Sequence, residues 1–176
     1  MKRILILPTL LILSSLQYLN GQSQEAEYAL KVKTLDSTIE TLYAVISGGK
    51  GESRDWDLFK YLFTPEANLM PSGKNQEGGV TVRYWSAEEY VKQAGQYLVD
   101  NGFYEKEIHR VEETFGSVTH VFSTYESYHS SKDEKPFARG INSIQLMNDG
   151  TRWWVVNIYW TGETQDNPIP SKYLND

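Results

Sequence analysis

Residues Phe137 to Trp160 read FARGINSIQLMNDGTRWWVVNIYW. Two β-type segments, Phe137–Met147 and Arg152–Trp160, flank Asp149-Gly150, a pair that accepts the positive φ of a tight hairpin turn. Both segments are long and rich in β-branched and aromatic residues. Working outward, two further β-type segments precede them, Phe103–Phe115 and Val118–Tyr128, joined at Gly116-Ser117. The polar run His129–Lys135 links this pair to the next. The chain thus predicts a four-stranded antiparallel meander.

Before Gly102 the apolar period is helical. Leu35, Ile39, Leu42, Tyr43 and Ile46 form one stripe, with Ser37-x-x-Glu40 as its expected capping box. A short helix is expected over Asp55–Phe63, stopped by Thr64-Pro65. Ala67–Met70 and Val80–Trp85 read as short strands. Ser86-x-x-Glu89 is a capping box, with Trp85 and Tyr90 placed as a hydrophobic staple, and its helix runs to Asn101-Gly102. Helices gathered against one antiparallel sheet make an α+β domain, expected as a cone of three helices on four long strands plus short N-terminal strands. The expected organisation is a leader over 1–21, a flexible lead-in over 22–34, the domain over 35–162 and a C-terminal arm over 163–176.

The 176 residues carry 17 basic and 23 acidic side chains and no Cys. Zero Cys excludes a disulfide framework, a thiolate metal site and a cysteine nucleophile. The acidic balance argues against nucleic acid as a partner. Lys2 and Arg3 precede an apolar run, Ile4–Leu13, too short for a comfortable membrane span, and Gly21 stands where cleavage would fall: the pattern of a secretory signal peptide. The expectation is an exported protein, periplasmic or secreted, with no membrane attachment after cleavage near Gly21.

The segments Phe122–Ser127, Arg139–Leu146 and Arg152–Trp160 resemble a widespread group of bacterial NTF2-like (SnoaL-like) proteins with no assigned activity. The resemblance spans Leu35 to Trp160. It implies a cone-shaped α+β fold whose open end is a natural pocket. The superfamily hosts isomerases, dehydratases, cyclases, ligand binders and scaffolds, so the resemblance does not settle function.

An uninterrupted register from the two-residue turns gives the sheet two faces. Asn142 then faces Asn157, and Gly140 faces Tyr159. One face carries Ser123, Tyr125, Asn142, Trp153, Asn157 and Tyr159 and is taken as the cone's interior, apolar at depth and polar at the mouth, the layout of a small-molecule site. The same residues also suit plain cross-strand pairing and core filling. The other face is apolar enough to predict a homodimer through the outer sheet. Glu126 falls beside Arg139, which predicts an ion pair, structural rather than catalytic because an adjacent guanidinium makes a carboxylate a poor base. His109 is the acid–base candidate by its intrinsic titration range, and Glu126 the carboxylate one, although His109 points away from the interior on this register. The three histidines lack metal-ligand spacing, and no cofactor fingerprint is present, so neither a metal nor a cofactor is expected.

Three readings stay open: a module binding a small, partly apolar ligand, an acid–base enzyme of the isomerase, cyclase or dehydratase type, and a non-catalytic dimeric scaffold.

Overall fold

The computed structural model describes residues 21–174. Apart from Gly21, the expected leader lies outside the described residues. Four helices and six strands follow in order: α1 over 21–31, α2 Leu35–Ile46, α3 Trp56–Tyr61, β1 Phe63–Lys74, β2 Val80–Val82, α4 Ala87–Asn101, β3 Tyr104–Phe115, β4 Val118–Tyr128, β5 Ala138–Asn148 and β6 Trp153–Gly162. A 3₁₀ turn at Ser171–Tyr173 ends the described chain.

The strands form one curved, unclosed sheet in the order β2-β1-β6-β5-β4-β3. The β3–β6 meander matches the sequence reading almost end for end. β1 is far longer than the expected Ala67–Met70 and runs parallel to β6, with Leu69 opposite Ile158. A parallel neighbour supplies ladder bonds that no local signal in β1 announces.

The helical stripe falls where expected: Ile39, Leu42, Tyr43 and Ile46 are all buried. Its cap is not. Thr34, rather than Ser37, is the N-cap, and Ser37 reaches back to the Thr34 backbone. Ser86 and Glu89 do form the expected capping box, with Trp85 and Tyr90 rings 6.4 Å apart. Residues 21–31, which include most of the expected lead-in, form helix α1, and Tyr28 donates to Asp55 at 2.8 Å while Val32 accepts from the Trp153 backbone. The core joins α2, α3 and α4 to the inner sheet through Ile39, Phe59, Leu98, Val121, Ile144 and Val155.

Two bulges decide which side chains look inward. In β6, Leu146 pairs with Val155 but Gln145 pairs with Asn157, leaving Val156 extra. One extra residue inverts the facing of everything beyond it. Trp153 and Val155 therefore face the core, and so do Ile158 and Trp160, whereas Asn157 and Tyr159 turn outward. The hairpin also begins wider than two residues, with Asn148 opposite Trp153. Asp149 stabilises that wider loop by accepting from the Thr151 and Arg152 backbones and from the Trp154 indole. In β3 the extra residue is Ile108, between Glu107 opposite Tyr125 and His109 opposite Thr124.

Candidate functional site

A cavity of about 370 Å³ occupies the inner face of the sheet beneath α2 and α4. Its walls are aliphatic and aromatic, including Leu42, Phe59, Leu98, Ile158 and Trp160. Its polar groups converge from three strands and a helix: Glu105 on β3, Tyr125 and Ser127 on β4, Asn142 on β5 and Tyr43 on α2. Apolar walls with few polar groups are the usual form of a small-molecule site.

Glu105 is the distinctive member. It is half-buried, and its carboxylate accepts a hydrogen bond from Ser127 at 2.8 Å. Burial pushes its pKa up to about 7, against the opposing pull of hydrogen bonds from Ser127 and Asn142. A charged carboxylate loses its hydration in such a site, so the neutral form gains. The phenols of Tyr43, Tyr90 and Tyr125 are all raised by burial first and by the negative charge of Glu105 second. They stay protonated and act as donors or as walls.

Beside Glu105 a hydrogen-bonded chain leaves the cavity. Asn142 donates to the Tyr43 hydroxyl at 3.0 Å, Tyr43 and Ser123 share a bond of 2.7 Å, and Ser123 donates to Glu107. Arg110 holds Glu107 and reaches Asp36 at 2.7 Å. Gly140 permits the neighbouring arrangement: a Cβ there would stand 2.4 Å from the Tyr125 hydroxyl and 2.4 Å from the Thr161 carbonyl. Gly102, at φ 72°, ends α4 in a backbone region that suits glycine, and a Cβ there would stand 2.5 Å from the His129 carbonyl.

The structure sorts the residues singled out from sequence. Tyr125 and Asn142 line the cavity; Ser123 is fully buried just behind it. Trp153 packs against the core away from the cavity lining. Asn157 and Tyr159 are corrected to the outer face, where Asn157 donates to Gln145 at 3.0 Å rather than pairing with Asn142. His109 shares the outer side with Thr124, its partner across β3–β4. Glu126 and Arg139 are cross-strand neighbours, as expected, yet they do not pair with each other. Lys106 takes Glu126 at 3.3 Å, and Glu163 takes Arg139 at 2.8 Å, because the residue that follows β6 is hydrogen-bonded beside Arg139 at the start of β5.

Sequence reasoning missed Glu105, Ser127, Trp85 and Trp160. With unbroken alternation, Glu105 and Glu107 share the outer side with His109, and Trp160 shares it with Trp154. The available signal was Glu105-Lys106-Glu107, a charged run inside a segment otherwise patterned for a strand.

No family model and no curated protein matches the chain. Solved structures do. A protein of unknown function with a cystatin-like fold from Nostoc punctiforme superposes with TM-score 0.56 at 8% identity, over 74% of this chain and 90% of its own. An NTF2-like protein of unknown function from Silicibacter pomeroyi gives 0.51 at 13%, over 80% and 98%. The chain has the NTF2-like fold. A third neighbour, a Xanthomonas campestris protein described as a calcium/calmodulin-dependent protein kinase II association domain, gives 0.55 at 14%, over 74% and 86%. At these identities the likeness is one of fold, and function has to be argued from the site.

Proposed function

We propose that the NTF2-like cone binds a small, partly apolar ligand and orients it through Glu105, Asn142 and the Tyr43 hydroxyl. The observation that carries this reading is the cavity of about 370 Å³, whose largely apolar lining includes a half-buried carboxyl. Its test is a titration with indole, a neutral aromatic probe of suitable size, followed by isothermal titration calorimetry. Saturable binding that disappears in Ala94→Phe, which fills the cavity from α4, supports the reading. No saturation, or equal binding by a folded Ala94→Phe protein, rejects it.

A second reading rests on Glu105 alone. A carboxyl titrating near 7 inside an apolar cavity is poised for general acid–base work. Solvent-deuterium exchange at an activated C–H of a bound ketone should then be faster with the wild type than with Glu105→Gln, rising through a midpoint near pH 7. Equal rates would reject catalysis and leave binding untouched.

The partner in this reading is a second copy of the chain, docked on the outer sheet face where Val111 and Tyr159 leave apolar surface. Light scattering at twice the single-chain mass supports it, and the single-chain mass rejects it. Export completes the proposal, and N-terminal sequencing of secreted protein is expected to begin at Gln22.

A further inference from the structure

The chemistry lining the cone is unevenly divided. Aromatic rings make up much of the wall, in two groups. Phe59 stacks on Tyr90 with centroids 5.2 Å apart, and Trp85 and Trp160 each meet Tyr90 edge-on at 6.4 Å. Across the cavity Phe103 and Phe137 meet at 6.2 Å. Against these rings stands one charged group: among the described residues that line the cavity, Glu105 alone is ionisable as an acid or base near neutrality, and no Lys, Arg or His joins it.

Each class of ligand meets this lining differently. A carboxylate or phosphate in this cavity would lose its hydration beside Glu105 with no cation among the described lining residues to receive it. A purely apolar ligand would fill the walls but leave Glu105 facing it without gain. A bare metal ion would find one carboxylate where it needs several oxygen ligands. An ammonium group gains from both features, since aromatic faces attract cations and the carboxylate supplies the countercharge.

We propose that the ligand of this cone is a small organic cation, an amine or quaternary ammonium carrying an apolar substituent, held between the aromatic walls and the Glu105 carboxylate. The proposal rests on the small-molecule reading of the cone and names the ligand class for it.

The test compares three soluble probes of similar size at pH 8, read by tryptophan fluorescence: benzylammonium, benzyl alcohol and benzoate. The ammonium is expected to bind about tenfold or more tightly than the alcohol, with benzoate weakest. Glu105→Gln should weaken the ammonium about tenfold and leave the alcohol unchanged. Trp85→Leu should weaken the ammonium more than the alcohol, and far-UV circular dichroism checks that both variants are folded. Equal binding of ammonium and alcohol, both lost in Ala94→Phe, would overturn the cation inference and leave the pocket reading standing. Preference for benzoate would overturn it as well. Failure of all three probes to bind would reject the pocket itself.

Discussion

Glu105 carries a stability cost that depends on pH. In the unfolded chain its carboxyl ionises from about 4.5, whereas in the fold it stays protonated up to about 7. The folded state therefore holds more protons across that window, and the contribution of Glu105 to stability falls as pH rises through it. The size is on the order of 3 kcal/mol. Glu105→Gln should abolish this slope and be more stable than the wild type at pH 8, while differing little at pH 4; urea melts at the two pH values check it. Tyr43 is the opposite case, a buried hydroxyl whose partners depend on it. Tyr43→Phe removes an acceptor from Asn142 and a partner from Ser123. Leaving buried polar groups without partners costs about 1–3 kcal/mol, an expected loss that urea denaturation would read directly. An unchanged midpoint would mean the hydroxyl chain is structurally idle.

At the scale of the element, two single extra residues set the chemistry of the cone. Val156 turns Trp160 inward and Tyr159 outward, and Ile108 turns Glu105 inward. Trp160→Ala should therefore cost about 2–3 kcal/mol through lost packing, with Tyr159→Ala costing under about 1 kcal/mol. The reverse ranking in thermal melts would place the β6 bulge elsewhere. Helix α4 offers an independent check. Ser86 accepts from the Glu89 backbone at 3.1 Å, and Glu89 is held below its ordinary carboxylate range by the Ser86 backbone and hydroxyl. Ser86→Ala is expected to cost about 1 kcal/mol. Because α4 supplies Tyr90, Ala94 and Leu98 to the cavity, fraying its first turn should also weaken probe binding.

Across the whole molecule, the C-terminal arm covers part of the outer sheet face proposed above to dock a second copy. Tyr173 packs on Phe122 at 5.0 Å, its carbonyl accepts from Thr124, and Thr124 is fully buried as a result. Glu163 fastens the start of the arm by pairing with Arg139 and accepting from the Ile169 backbone. Removing residues 164–176 uncovers Phe122 and Thr124 beside Tyr159, and self-association should rise in sedimentation experiments. A mass unaffected by the truncation would argue that the arm does not cover the proposed dimer surface. Arg139→Ala is expected to move in the same direction by releasing one anchor of the arm.

The α2 stripe, the α4 capping box, the four long strands and the Glu126–Arg139 adjacency were legible in the sequence, because period, caps and turn residues act within a few positions of one another. The same local chemistry specified Tyr125 and Asn142 as inward-facing, since β4 and β5 run opposite each other without a bulge. What only the folded chain decided was the composition of the cavity's polar end and its outer rim. A bulge is chosen by how a whole sheet twists against its helices, so one extra residue at Ile108 or Val156 leaves no mark in the local alternation. Nor can neighbouring residues reveal that β6 will bring Glu163 to Arg139, or that α2 will lower Tyr43 onto Ser123. Those contacts join residues 24 and 80 positions apart, and only tertiary packing brings them within reach.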